Sequence, residues 1–214
     1  MNTNTDYWEK IVRNPTPTYK KLLDSEKEFL ISHIEKDSKV LDIGCGNGRN
    51  IETILPITAD VFGIDNDEKA IATTKSRLPI VASNILLADA FDLPFDDESF
   101  NTVILLMTLV NFGENKIKAL KEMYRVVKDS GKVIISVYSE DALPARMEMY
   151  KIISVPIDKV EGTRVIFNEK IGANSSEQFQ KKSFEALAEE CNMEVAEFQK
   201  IDGIAYIFSL KKKI

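Results

Sequence analysis

The sequence is short of the groups that most often handle protons and metals. Among its 214 residues are one histidine, His33, and two cysteines, Cys45 and Cys191. Neither cysteine has metal-ligand spacing, and a reducing, cytoplasmic setting is the expectation that follows. Long apolar runs are missing as well: the stretch around Val103 to Val110 falls far short of the ~20 residues a membrane helix needs, so no membrane partner is expected. Met1 to Asp6 has neither a basic n-region nor an apolar h-region, and no export signal is read there. Basic patches are equally scarce. The net charge is −6, and the single basic run, Lys211-Lys212-Lys213, reads as a solvated tail, which argues against nucleic acid as a partner. The acidic run Asp96-Asp97-Glu98 lacks a spaced partner for a metal. His33 stands on a helical stripe and reads as a packed side chain.

The chain that remains is an ordinary globular one, long enough for a sizeable core and for one domain, 1–214. It is organised around Val40-Leu41-Asp42-Ile43-Gly44-Cys45-Gly46-Asn47-Gly48-Arg49-Asn50. An apolar strand here breaks into a glycine turn and then a helical pattern, the arrangement in which a nucleotide-like ligand lies against bare backbone. A dinucleotide fingerprint would need its third small residue where Arg49 stands, and Asp42 sets a carboxylate at the mouth of the turn that would repel phosphate. A ligand with an ammonium and a sulfonium, as in S-adenosylmethionine, suits that carboxylate.

From Lys39 onward strand-like and helical stretches alternate. The strand-like runs are 40–43, 61–64, 85–88, 102–106 and 132–138; helical patterns fill 50–57, 67–77 and 116–128. Such alternation predicts a mostly parallel sheet with helices on both faces. Two alternating runs joined by Asp202-Gly203 predict a C-terminal antiparallel hairpin. A helix is expected over Thr18 to Glu35. Residues 139–182 break the rhythm and read as an insertion, with a short helix near 142–150 and a strand near 163–167.

Asp65 ends the second strand, about twenty residues past the glycine turn, where a carboxylate can accept both hydroxyls of a ribose. Its competing use is to cap the next helix, a role that Asn66 or Asp67 could take instead. The stretch Leu87-Ala88-Asp89-Ala90-Phe91-Asp92-Leu93-Pro94-Phe95 follows the third strand. Taken together, Val40 to Gly48, Gly63-Ile64-Asp65, Asp89 to Phe95, Ser99 to Ile104 and Arg125 to Gly131 resemble the motifs of the class I S-adenosylmethionine-dependent methyltransferases. Departures occur at Asn101, for a usual Asp, and at Asp129-Ser130, for Pro-Gly. The resemblance runs over about 37–138 and returns in the last thirty or so residues.

That resemblance implies a Rossmann-like, mostly parallel seven-stranded sheet, S-adenosylmethionine as cofactor, and a small-molecule or peptide-sized acceptor. It implies cofactor contacts at Asp42, Gly44, Cys45, Gly46, Asp65, Asn66, Asp89, Ala90 and Leu106, with Asp89 on the adenine amino group and the Ala90 amide facing the ring. Catalytic residues stay unassigned. Tyr19, Asn111 and Tyr138 are candidates for acceptor contacts by position alone. The stretches 1–36 and 139–182, rich in aromatics and outside the resemblance, are the expected acceptor lid. Two other readings stay open: a nicotinamide-dependent oxidoreductase, although Tyr124-x-x-x-Lys128, which has the spacing of a dehydrogenase pair, reads as helix surface before the fifth strand, and a non-catalytic cofactor-binding protein of the same fold.

Overall fold

In the computed structural model, which describes residues 4–169 and 175–213, the alternating apolar runs pair into one seven-stranded sheet. In chain order the elements are α1 (Asn4–Arg13), α2 (Pro17–His33), β1 (Val40–Ile43), α3 (Arg49–Ile54), β2 (Val61–Asp65), α4 (Glu68–Arg77), β3 (Ile85–Leu87) and β4 (Phe100–Leu106). Then come α5 (Lys116–Val126), β5 (Val127–Tyr138), α6 (Leu143–Ile152), β6 (Ile157–Glu161), β7 (Arg164–Phe167), β8 (Ser175–Glu177), α7 (Lys181–Glu190), β9 (Met193–Ile201) and β10 (Ala205–Lys212). Across the sheet the order is β3-β2-β1-β4-β5-β10-β9. Only β10 runs against its neighbours, pairing antiparallel with both β5 and β9. All four residues of β1 and all from Thr102 to Leu106 of β4 are buried, so helices cover both faces of the sheet's middle.

The chain leaves β1 towards β2 and β3, then returns to lay β4 on the other side of β1. This reversal opens a crevice beyond the carboxyl ends of β1 and β4, the place where open parallel sheets bind ligands. The hairpin at 202–203 forms as its Asp-Gly predicts, with Gly203 at φ +75°.

Several boundaries move for local reasons. Helix α2 starts at Pro17, whose fixed φ suits the first helical position, and Thr16 Oγ1 accepts the Tyr19 amide at 3.4 Å. Strand β4 begins at Phe100 because Phe100 pairs with Val127, five residues ahead of the main ladder that starts at Lys132. Helix α3 closes at Ile54.

Two elements were not read from the sequence as such. The first is α1, an amphipathic helix whose Tyr7, Trp8, Ile11 and Val12 share one face. The second is a separate antiparallel sheet, β6-β7-β8, inside the stretch 139–182. Tyr150, Val165 and Phe167 form a small core there, and Tyr7 of α1 packs against it. The two segments outside the family resemblance therefore touch each other. No helix among the described residues is long and apolar enough to cross a membrane.

Gly48 makes a demand on residue type beside the site through both its backbone angle and its close neighbours. It precedes α3 with φ +86°, and a Cβ there would meet Leu78 and Thr74 side-chain carbons at 2.9 Å. Gly48→Ala should lower stability by about 1 to 3 kcal/mol, read as a drop in urea midpoint with an unchanged slope. An unaltered midpoint would show that the turn relaxes freely.

Candidate active site

A cavity of about 700 Å³ opens at the carboxyl edge of the sheet, within the range of about 300–1,000 Å³ usual for small-molecule sites. Its floor is the glycine turn after β1. Gly44 and Gly46 have φ of +70° and +53°, and the turn lies so close to the loop after β4 that a Cβ on Gly44 would meet Thr108 at 2.8 Å. Bare backbone is what this junction can accommodate.

Asp65, at the end of β2, reaches into the same cavity. Its Oδ2 accepts the Gly46 amide at 2.8 Å and its Oδ1 the Asp67 amide at 2.9 Å. A carboxylate has about four acceptor sites, so two remain for a ligand's hydroxyls. Burial raises the Asp65 pKa, and the Asp67 and Gly46 amides work against that rise. The cap of α4 is Asp67, which accepts the Lys69 and Ala70 amides. Asp65 is thereby left to the turn and the cavity.

Asn66, Asp89, Ala90, Cys45 and Leu106 also line the cavity. Asp89 is exposed, and its Oδ1 accepts the Phe91 amide at 2.9 Å. Burial pushes the Cys45 thiol far up, so it stays an uncharged wall.

One expectation needs correction. Asp42 does not stand at the mouth of the turn: it is 0% exposed and lies behind the cavity wall, outside the lining. Side chains alternate along a strand, and the residue two before Gly44 points into the sheet's covered face. Asn50 Nδ2 reaches its Oδ1 at 3.4 Å, while Oδ2 is buried without a partner. Burial pushes its carboxyl up to about 7, against the smaller opposing influences of Asn50 and Arg49.

Among the acceptor candidates, Asn111 and Tyr138 line the cavity. Tyr19 is fully buried behind it and shares a 3.0 Å hydrogen bond with the Tyr138 hydroxyl. His33 is elsewhere, stacked on Phe29 and paired with Glu197. Tyr124 and Lys128 take no part in the lining, and Lys212 sits over the Tyr124 ring. Among the described residues no group of three acidic, histidine or cysteine side chains could hold a metal.

Tyr7, Trp8, Tyr150 and Phe167, aromatics of the two stretches expected as the lid, do line the cavity, and Ile11, Val12 and Ser176, which were not singled out, join them. Tyr7, Trp8, Ile11 and Val12 of α1 form one wall, and Tyr150, Phe167 and Ser176 another. The helical spacing of 7, 8, 11 and 12 was a readable signal for the first. Arg49, an awkward residue in the glycine turn, donates to Glu26 at 2.7 Å, and Glu26 is itself 1% exposed. Spacing also marked Glu26, since it falls on the buried stripe of α2 with Leu22, Phe29 and Leu30.

The donor set discriminates between ligands. Among the described residues the cationic side chains of the lining are Arg49, held by Glu26, and Arg164, held by Glu114. With both engaged and two carboxylates presented, the cavity suits hydroxyls and a cationic end better than phosphates.

Residues 41–135 match the family model described as a methyltransferase domain. A demethylmenaquinone methyltransferase of Staphylococcus aureus (strain JH9) is 32% identical over 123 residues, 56% of this chain and 51% of the relative. The match thus spans about half the length of the curated relatives. A Pyrococcus horikoshii OT3 protein superposes with TM-score 0.72 at 24% identity, over 99% of this chain and 95% of that one. A Burkholderia thailandensis 1,6-didemethyltoxoflavin-N1-methyltransferase, solved with bound 1,6-didemethyltoxoflavin and S-adenosylhomocysteine, superposes with TM-score 0.69 at 13% identity, over 96% of this chain and 83% of that one. These two likenesses are likenesses of fold.

Burial of Asp42 has a consequence for stability. An unfolded chain releases this proton near 3.8 and the folded chain near 7, so between those values the folded state holds more protons. The stability this proton provides is complete below the lower value and is lost as pH rises through the upper one. Asp42→Asn should remove that loss. Urea midpoints measured at about pH 5 and about pH 7.5 should differ less in the variant than in the wild type; equal differences would clear Asp42 of the effect.

Proposed function

We propose that the chain is a class I S-adenosylmethionine-dependent methyltransferase, which binds S-adenosylmethionine on the glycine turn and methylates a small-molecule or peptide-sized acceptor. The observation that carries this reading is the convergence of the glycine turn, Asp65 and Asp89 on one cavity at the sheet's carboxyl edge. The Asp65 carboxylate would take the ribose hydroxyls, Asp89 the adenine amino group, and the amides of Gly44 to Gly46 the close approach of the ligand. Cys45, Asn66, Ala90 and Leu106 would complete the cofactor's surroundings, with Asp42 acting from behind through the turn and not by contact.

When bound, the cofactor supplies a methyl group that is already electrophilic on its sulfonium. The protein's own task is to align the acceptor and exclude water. Helix α1 and the sheet β6-β7-β8, part of one domain, 1–214, serve that task as the acceptor lid. Asp6 on α1 pairs with Lys69 on α4 at 2.5 Å, and Trp8 packs edge-on against Tyr19 with ring centres 6.5 Å apart. The helix is thereby tied down across the mouth.

The acidic balance supports an acceptor other than nucleic acid. Two free, buried cysteines suit a reducing, cytoplasmic setting. A nicotinamide-dependent oxidoreductase is disfavoured by the position of Tyr124 and Lys128 away from the cavity.

Losing a charged acceptor costs about 1.5 to 3 kcal/mol. Asp65→Ala should therefore weaken binding of S-adenosylhomocysteine roughly ten- to more than a hundredfold by calorimetric titration. An unchanged dissociation constant in a folded variant would take Asp65 out of the site. Removing residues 1–16 should lower methyl transfer while leaving cofactor affinity nearly as it was, because the glycine turn, Asp65 and Asp89 are all retained. Full transfer by the shortened chain would mean that α1 is outer packing.

A further inference from the structure

Arg146, on α6, is 0% exposed, and among the described residues no carboxylate lies within 4.0 Å of it. Every partner it has among the described residues is neutral. Nη1 donates to Gln178 Oε1 at 3.2 Å and Nη2 to the Ser176 carbonyl at 3.1 Å. Nε and Nη2 both donate to the Tyr150 hydroxyl oxygen at 3.3 Å, and the guanidinium lies 4.3 Å over the Tyr138 ring. The carboxylates nearby in the fold are already engaged: Glu177 with Lys116 at 2.7 Å and Arg164 at 3.8 Å, and Glu114 with Arg164 at 3.1 Å. A buried cation without a counter-charge is costly, and it favours any anion brought next to it.

The groups around this cation face the cavity. Tyr138, Tyr150 and Ser176 all line it. A phenol oxygen has two lone pairs, and in Tyr150 both are directed at the guanidinium, so its O–H is the part left for a ligand. The Ser176 hydroxyl is buried with its oxygen unpartnered, in a residue only 2% exposed. Tyr7 and Phe167, which pack with Tyr150, give this part of the cavity flat walls.

We infer that this half of the cavity takes an aromatic acceptor through an ionised hydroxyl, with Tyr150, Tyr138 and Ser176 facing the phenolate oxygen and Arg146 as the charge behind them. This rests on the methyl-transfer reading above. The phenolate oxygen forms the new bond to the methyl carbon as the carbon–sulfur bond breaks and its electron pair passes to sulfur. A negative and a positive reactant become a neutral ether and a neutral thioether. The hydroxyl's proton leaves to water before the acceptor is engaged, which makes a histidine or lysine base unnecessary.

The test uses 4-nitrophenol, whose ionised form has its own visible absorption, added to the full chain saturated with S-adenosylhomocysteine. The wild type should bind it as the phenolate, ionising it at lower pH than in free solution, and should bind neutral 4-nitroanisole at least about tenfold more weakly. Tyr150→Phe should weaken phenolate binding by about tenfold while changing the affinity for S-adenosylhomocysteine less than about twofold. Arg146→Met should abolish the early ionisation; should that variant fail to fold, Tyr150→Phe and Ser176→Ala still decide. If S-adenosylhomocysteine binds but 4-nitrophenol does not bind, binds un-ionised, or binds no better than 4-nitroanisole, the phenolate assignment is wrong. Failure of S-adenosylhomocysteine itself to bind would instead count against the cofactor reading.

Discussion

A single buried carboxylate holds the floor of the site together. Glu26 Oε2 accepts Arg49 at 2.7 Å and its Oε1 accepts the Ser136 hydroxyl at 2.6 Å, while the Ser136 oxygen accepts the Met107 amide at 2.9 Å. Helix α2, the start of α3, strand β5 and the loop after β4 thus meet at one charge. That loop carries strain: Met107 has φ +53° without being glycine, and its neighbour Thr108 closes on Gly44. Removing one partner from such a buried pair leaves the other uncompensated, typically at about 3 to 5 kcal/mol. The geometry of the glycine turn therefore depends on Glu26, 23 positions before the Arg49 it holds, on a helix that contributes nothing to the sheet.

The sheet was legible in the sequence because its signals are local. Val40 to Ile43 is a short run, apolar but for Asp42, that ends at a glycine turn, and Asp202-Gly203 sits between two alternating runs. The placing of Asp65 and Asp89 at the cavity was legible too, since Asp65 ends β2 and Asp89 follows β3 by two residues, both at the edge that carries the glycine turn. The position of Asp42 was not. Whether a strand residue faces ligand or core is a question of pleat, and its carboxylate argued for the mouth while alternation put it behind the wall. Helix α1 hid in a polar stretch where apolar periodicity is brief. The sheet β6-β7-β8 hid because two of its strands carry few apolar residues, and its core of Tyr150, Val165 and Phe167 is assembled across α6 and β7. Buried charge is the hardest feature to read: Glu26 and Arg146 look like surface residues until their helical spacing is compared with the apolar stripe.

The two halves of the cavity have opposite electrostatic character. At the glycine turn, carboxylates are presented and Arg49 is already paired, a setting for hydroxyls and positive charge. Beyond Tyr138, a guanidinium is surrounded by neutral partners, a setting for negative charge. A cationic donor and an anionic acceptor would be drawn to adjacent positions by this division, and closure by α1 would strengthen the attraction by excluding water.

The central claim is that this crevice is a site for an S-adenosyl cofactor and not for a dinucleotide. Calorimetric titration of the intact chain with S-adenosylhomocysteine, run beside the same titration with NAD, addresses it directly. The account predicts saturable binding of one S-adenosylhomocysteine per chain and no heat of binding from NAD. Saturable binding of NAD with S-adenosylhomocysteine silent would contradict it.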